Sequence, residues 1–313
     1  MKRALFIVIL LFSCILAVML ALKPAVNFLL TKELKLMFPG SKISLRGCIF
    51  RPFSNLNFSE IKIQKEKDYE LKIKDFGFNY SLGTFVKRDG LNITIGKLDY
   101  SFVMAGFQAN DISLKLEKDF AHLELFVRQL KYNKVDLNDL KGMLRIDNNT
   151  LSSEYLSARI WDGQIKAGLN AKLDNLREYV VDLKLSGLNV ERLINDFDLA
   201  ERFQMSGTIN GPINLKGSGN SVSILEGNLS AGSEGGKLII KDNNFMQGMA
   251  QKTGQSLDLI VESFKDYHYN TGIIKLSLEQ GNIILNVDLD GETGKRNLEI
   301  RLHNVIPIKE GLK

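Results

Sequence analysis

Three histidines, two cysteines and 36 acidic side chains are the groups that could do chemistry in this chain. His122, His268 and His303 lie far apart, with no H-E-x-x-H pair, no C-x-x-C and no cysteine beside a histidine. That spacing suggests neither a zinc site nor a thiol nucleophile, and each histidine reads as a surface or strand residue. The stretch from Gly232 through Ser233, Glu234, Gly235 and Gly236 to Lys237 superficially resembles a phosphate-binding loop. Ala231 stands where that motif needs its first glycine, and Leu238 where it needs a hydroxyl for magnesium. Asp288, Asp290, Gly291 and Glu292 offer half of a calcium loop, but the full ligand pattern is absent and an Asp-Gly turn between two strands explains them. No carboxylate pair is singled out by its surroundings. No metal, cofactor or catalytic set is expected, so the chain reads as a non-enzyme.

The elements that would position a site begin with a membrane segment. Ala4 to Leu22 contains no charge, and at ~1.5 Å per helical residue it would reach about 28 Å, close to the hydrocarbon thickness of a bilayer. Lys2 and Arg3 precede it, which keeps residue 1 in the cytoplasm and sends the chain from Lys23 onward across the membrane. A cleaved signal peptide would have a shorter core and a small-residue cleavage site; this run continues unbroken to Leu22 and meets Lys23-Pro24. Leu11 to Cys14 makes a poor lipoprotein box, because Phe12 is bulky and apolar residues follow Cys14. Pro24 to Met37 then reads as a short helix stopped by Pro39-Gly40, resting either on the membrane interface or on the first strands.

Composition fits a folded extracytoplasmic body: 44% hydrophobic and 25% charged residues suffice for a large core. Cys14 and Cys48 are placed too differently to form an internal disulfide. The net charge of +5 is spread over strand faces and turns, with no basic arm or recognition helix, so nucleic acid is not a partner.

From residue 41 to 187 the sequence is a succession of period-two runs. Apolar residues alternate at Phe76, Phe78, Tyr80; at Leu91, Ile93, Ile95, then Leu98, Tyr100, Phe102; at Ile112, Leu114, Leu116; at Leu123, Leu125, Val127; at Ile165, Ala167, Leu169, Ala171, Leu173; and at Val181, Leu183, Leu185. Strict alternation gives each strand one apolar face. Asp89-Gly90, Asn148-Asn149 and Asp162-Gly163 supply turns. Without helices between strands, the pattern predicts an antiparallel meander or a solenoid-like stack. From 188 to 313, a helix is expected over Asn189 to Met205, with Asn189 as its cap, and a weaker one from Asn243 to about Phe264, followed by more strands. Gly207, Gly211, Gly227, Gly235 and Gly236 are expected to form the turns and bulges of this C-terminal region.

The order of these features resembles a family. The N-terminal anchor, the short following helix, the segment Ser157 to Ile165 (SARIWDGQI), the run Phe203 to Leu215 (FQMSGTINGPINL), Leu225 to Ala231, Gly235 to Leu238, Phe264 to Tyr269 and Ile283 to Gly291 are similar to the AsmA-like superfamily of bacterial intermembrane proteins, in the style of the YdbH branch. The resemblance implies a mainly β fold: an N-terminal transmembrane helix, 1–22 with its cytoplasmic stub; a juxtamembrane helix, 23–40; an elongated, twisted antiparallel sheet, an open or taco-like groove, 41–187; and a C-terminal domain, 188–313, with one or two short helices near its cap. It implies a single-pass inner-membrane protein with its body in the periplasm, carrying phospholipid acyl chains to the outer membrane. Candidate lining residues are Phe76, Phe78, Tyr80, Ile93, Ile95, Leu123, Leu125, Ile165, Leu169, Val181 and Leu183. Members of the superfamily are often several times longer, so a protein partner near the outer membrane is expected to complete the conduit. Two alternatives stay open at this level. The apolar face could close on itself as a sandwich, which the same periodicity allows. The protein could instead belong to machinery for outer-membrane protein assembly or secretion and hold polypeptides by strand addition.

Overall fold

The computed structural model describes residues 24–51, 54–66, 68–80, 91–102, 105–117, 121–173, 178–219 and 221–302. The expected membrane anchor, 1–22, lies outside these residues, as do Asp89-Gly90 and His303. Among the described residues no helix is long and apolar enough to cross a membrane. The chain divides into two compact units, residues 1–133 and 134–313.

In the first unit, helix α1 (24–37) precedes seven strands: β1 (Lys42–Arg46), β2 (Ile49–Arg51), β3 (Asn55–Lys65), β4 (Tyr69–Asn79), β5 (Leu91–Phe102), β6 (Ala105–Leu116) and β7 (His122–Tyr132). They form an open antiparallel sheet in the order β1, β3, β4, β5, β6, β7, with β2 paired beside β1 along β3. The runs at Leu91, Ile93, Ile95 and at Leu98, Tyr100, which the sequence separates, are one strand. Between them the apolar parity changes from odd to even.

That change recurs in every long strand of the unit: Leu56 and Phe58 give way to Ile61 and Ile63, Leu71 and Ile73 to Phe76 and Phe78, Phe107 and Ala109 to Ile112 and Leu114, and Leu125 and Val127 to Leu130. A one-residue slip in a regular strand sends every later side chain to the opposite face. Here both halves stay on one face, since Leu56, Phe58, Ile61, Ile63, Ile73 and Phe76 all belong to one hydrophobic cluster. In β4 and β6 the chain is rephased by aspartates with left-handed backbone, Asp75 at φ 53° and Asp111 at φ 50°. Asp and Asn tolerate that region better than other non-glycine residues.

Because the slips coincide, the ladder keeps its register. Glu60 pairs with Lys74, Lys74 with Lys97, Lys97 with Asn110 and Asn110 with Gln129, making a polar belt across the sheet. Beside it, Asp75 lies opposite Gly96, where an added Cβ would come within 3.0 Å of the Asp75 Cβ. The opposite face is polar, with exposed or half-exposed pairs such as Lys62–Glu70 at 3.2 Å and Lys115–Glu124 at 3.7 Å. Pairs of this kind contribute about 0–1 kcal/mol each and serve mainly to keep that face wet.

The second unit contains β8 (Val135–Asp147), β9 (Thr150–Ile160), β10 (Gly163–Lys172), β11 (Tyr179–Asn189), α2 (Val190–Asp196), β12 (Phe203–Met205), β13 (Thr208–Ser218), β14 (Ser221–Ala231), β15 (Gly236–Ile240), α3 (Asn243–Thr253), α4 (Leu257–Phe264), β16 (Tyr267–Tyr269), β17 (Thr271–Glu279), β18 (Asn282–Gly291) and β19 (Gly294–Leu302). Its main sheet runs β8, β9, β10, β11, β13, β14, β17, β18, β19, and β12, β15 and β16 form a second, small sheet. Phase slips appear here too, but as register shifts: near Asp139 in β8, φ 52°, and between Leu185 and Leu188 in β11, where Gly187 has φ 63°. The two-residue hairpin turns at Asn148-Asn149 and at Trp161-Asp162 have positive φ. Asn148-Asn149 matches the sequence expectation, whereas the Asp162-Gly163 turn is displaced by one residue, with Gly163 opening β10.

The helix expected over Asn189 to Met205 keeps its cap, with Asn189 Oδ1 accepting from the Arg192 N–H at 3.3 Å, but ends at Asp196. Asp198 turns the chain with φ 58°, and Phe203 to Met205 pair with β15 as a strand. The expected helix from Asn243 to Phe264 is two helices, parted at Gly254, φ 69°. Both pack, with α2, into a core that includes Leu188, Phe203, Phe264, Tyr267 and Tyr269. The Tyr269 hydroxyl donates to the Ser206 carbonyl at 2.6 Å, and burial pushes its phenol up to about 12. Of the five glycines expected at turns, Gly207, Gly211 and Gly235 have positive φ. Gly227 lies inside β14 rather than at a turn, and Gly236 opens β15. Gly211, φ 142°, pairs with Leu185 beside the bulge of β11, and a Cβ on it would lie 2.9 Å from the Leu229 Cα in β14.

Two outcomes follow for stability. Asp111→Gly removes only an exposed ion pair to Arg128 and is expected to change unfolding free energy by less than about 1 kcal/mol, whereas Asp111→Val forces a β-branched residue into left-handed backbone and costs about 1–2 kcal/mol. Deleting Asp111 sends Ile112, Leu114 and Leu116 to the wrong face and should abolish the folded unit; urea melts of the three variants check this. Asp242 caps α3, accepting from the Phe245 N–H at 3.0 Å and from Arg202 Nε at 2.6 Å, and these donors hold its carboxyl below the ordinary 3.8. A depressed folded pKa gives stability that is present above the unfolded value and lost as pH falls through the folded one. Asp242→Ala should therefore cost about 1 kcal/mol at neutral pH and progressively less in acid below pH 4, read from melts across that range.

Candidate functional site

The strand registers assemble transverse apolar rows from residues distant in sequence. In the first unit, Leu56, Phe78, Ile93, Leu114 and Leu125 stand opposite one another across β3 to β7, and the next row is Phe58, Phe76, Ile95, Ile112 and Val127. Leu91, Leu116 and Leu123 make a third. On the far side of the polar belt run Ile61, Ile73, Leu98, Ala109 and Leu130, and then Ile63, Leu71, Tyr100, Phe107 and Tyr132. Thus strand pairing brings Phe76, Phe78, Ile93, Ile95, Leu123 and Leu125 onto one surface. Tyr80 follows β4, its ring 5.5 Å from that of Phe78, and its hydroxyl donates to the Arg51 carbonyl at 3.3 Å. Burial pushes that phenol above its ordinary range.

Coverage differs along this surface. At the β1 and β3 side, Leu30, Leu34 and Phe38 pack against Cys48, Phe58, Ile61 and Ile63, which are between 1% and 8% exposed. Farther along, Phe78, Ile93, Leu114, Leu123 and Leu125 are only half-buried and belong to neither core cluster. Among the described residues this unit has a single sheet and one helix, so no second layer of its own covers these rows.

Four candidates lie in the second unit. Leu169 pairs with Val181, which continues to Leu215 and Leu225. Leu183 continues from Ala167 to Ile213 and Gly227, and Ile165 pairs with Leu185. Ile165 and Leu183 pack against the C-terminal core, whereas Leu169 and Val181 are half-buried outside it.

Sequence reading missed an aromatic rail in the first unit: Phe38, Tyr69, Tyr100 and Phe107 follow one another with ring separations of 6.4, 6.2 and 5.4 Å. Phe38, Tyr69 and Phe107 sit at element ends, where alternation is too short to register, and only strand pairing brings them together.

Polar clefts occur in the second unit. One, of about 580 Å³, is lined by Lys134, Asp136, Arg159, Trp161, Asp162, Arg192 and Asp196 among others. Its cations are engaged by neighbouring carboxylates, Lys134 by Asp198, Arg159 by Asp139 and Arg192 by Asp162, while the Trp161 indole donates to Asp196 at 2.7 Å. This network ties the β9–β10 turn to α2. In another cleft, of about 530 Å³, His268 lies 3.1 Å from Asp266. Lys237, 2.5 Å away, is the main reason that the Asp266 carboxyl is held low. His122 opens β7 in the first unit, and His268 belongs to the second. Among the described residues no cluster of three His, Cys, Asp or Glu side chains could hold a metal ion.

What the apolar rows can do is bind chains of hydrocarbon. They offer area without directed donors or acceptors, at roughly 25 cal/mol per Å² removed from water. A family model described as YdbH-like, intermembrane phospholipid transport protein YdbH, matches residues 86–292, well over half of the chain. The chain belongs to the YdbH-like family. Phospholipid transport is the activity of that family, and the matched residues cover β5 to β18. Comparison with curated proteins and with solved structures gave no match.

The contrast between covered and uncovered rows has a measurable consequence. Phe58→Lys places an ammonium in a core position only 2% exposed and should unfold the unit, at several kcal/mol. Ile93→Lys, half-buried beside solvent, should cost no more than about 1–2 kcal/mol. Thermal melts of the two variants distinguish an open surface from a closed core, in which both would fail alike.

Proposed function

We propose that this YdbH-like protein is a single-pass inner-membrane protein whose periplasmic body binds phospholipid acyl chains along its apolar strand rows and passes them toward the outer membrane. The observation that carries the reading is the row Phe78, Ile93, Leu114, Leu125: in-register, half-buried and uncovered within its unit. Acyl chains have the chemistry to remove such a surface from water. The membership in a phospholipid transport family points the same way. Binding is non-catalytic in this reading, with no cofactor. The uncharged run from Ala4 to Leu22, preceded by Lys2 and Arg3, supplies the anchor and its orientation. A protein partner near the outer membrane receives the lipid.

The protein extracted in detergent should carry phospholipid detectable by mass spectrometry. Ile93→Lys and Leu125→Lys, each placing a charge where acyl chains pass, should lower vesicle-to-vesicle transfer of a fluorescent phospholipid at least tenfold while cellular abundance stays normal. Extraction with a stoichiometric protein and no lipid, together with unchanged transfer in both variants, would support strand-addition machinery instead.

A further inference from the structure

Helix α1 is apolar on two sides, and among the described residues only one is occupied. Leu30 and Leu34 face the sheet and pack on the cluster of Phe58, Ile61 and Ile63. Turned away from it are Phe28, 70% exposed, Leu29, 58%, and Leu36, 69%. Positions 28, 29, 32 and 36 fall on one stripe of a 3.6-residue helix, so Phe28, Leu29 and Leu36 form a continuous apolar strip with Lys32 within it and Lys35 at its border. An isolated exposed leucine needs no explanation, but a strip of this size on a two-sided helix does.

We propose that this strip lies in the outer-facing interface of the bilayer, embedded at the boundary between headgroups and acyl chains. The proposal rests on the anchor reading of the preceding section. If Ala4 to Leu22 spans the bilayer, α1 begins two residues later, and at about 3.8 Å per residue its first turn lies within about 8 Å of the hydrocarbon boundary. A helix so placed, with large apolar side chains outward and lysines among them, matches an interfacial helix: the apolar residues sink, and the lysine stems extend so that their ammonium groups reach lipid phosphates. The occupant is therefore a lipid surface carrying anionic phosphate. The consequence for function is positional. The inner side of α1 covers the first apolar rows of the sheet, so a helix lying in the interface holds that end of the apolar surface against the leaflet from which lipid is drawn.

The test uses the full chain in vesicles of phosphatidylethanolamine and phosphatidylglycerol, with Cys14→Ser and Cys48→Ala and one reporter cysteine carrying an environment-sensitive dye. Dye at Leu36→Cys should be quenched by lipids bearing a nitroxide near the headgroup at least threefold more than dye at Lys115→Cys on exposed β6, and should be shielded from iodide. Dye at position 36 that iodide reaches as readily as at 115, in protein that remains with the vesicles, overturns the proposal and leaves the anchor intact. Protein that does not stay with the vesicles overturns the anchor reading and this proposal with it. Cross-linking of position 36 to a second copy also overturns it. As a check independent of labelling, Phe28→Ser with Leu36→Ser should slow phospholipid transfer at least tenfold at normal abundance, and Phe28→Trp with Leu36→Trp should keep it; equal rates in the two pairs would refute the interfacial role.

Discussion

The geometry of each long strand depends on one constraint: an eleven-residue strand must keep its apolar side chains on a single face although its sequence changes parity halfway. Regular strand geometry forbids this, because side chains alternate with a period of two. Left-handed backbone at Asp75 and Asp111 resolves it in β4 and β6. Since the neighbouring strands change parity at the same level, the pairing of Phe76 with Ile95 and of Ile73 with Leu98 survives on both sides of the belt. Without that coincidence the apolar rows would break at mid-strand and α1 would meet a half-polar surface. In the second unit the slips fall out of step and appear as bulges, at Asp139 and Gly187, with Gly187 in the strand that leads into the capped helix α2.

Energetically the molecule is uneven. Two cores are closed: one beneath α1, centred on Phe58 and Ile63, and one in the C-terminal unit, centred on Leu188, Tyr267 and Tyr269. Burial there carries about 1.5–3 kcal/mol for each large apolar side chain. The rows through Ile93 and Leu125 are left half-open. Apolar area in that state contributes little to folding and remains available to a ligand, as the proposed lipid binding requires.

The chemistry of the site is correspondingly plain. Hydrocarbon offers no hydrogen bonds, so a surface that binds it needs shape and area; among the candidate lining residues the Tyr80 phenol is pushed up by burial. The Tyr269 phenol and the Asp242 carboxyl owe their shifts to structural tasks, a buried hydrogen bond and a helix cap. The charged cleft around Trp161 is internally paired and fastens a hairpin to α2.

Much of this was legible in the residues. Alternation at Phe76, Phe78, Ile93, Leu125 and Leu169 identified strands and their apolar face, Asn148-Asn149 a hairpin turn, and Asn189 a helix cap, because these signals are local and a single residue or a period of two suffices to express them. Local signals also misled: apolar spacing carried the first C-terminal helix past Asp196 to Met205, where the backbone turn at Asp198 and pairing with β15 prevailed. What sequence could not supply was anything set by pairing between strands. The rows joining Phe78, Ile93, Leu114 and Leu125, the aromatic rail from Phe38 to Phe107, and the difference between a buried Phe58 and a half-open Ile93 depend on register and on which face a helix covers. The parity change was visible at Ile95 and Leu98 but read as two runs, since only the tertiary structure shows that residues 91–102 form one strand whose halves pair with Phe76 and Ile112 on one side of the polar belt and with Ile73 and Ala109 on the other.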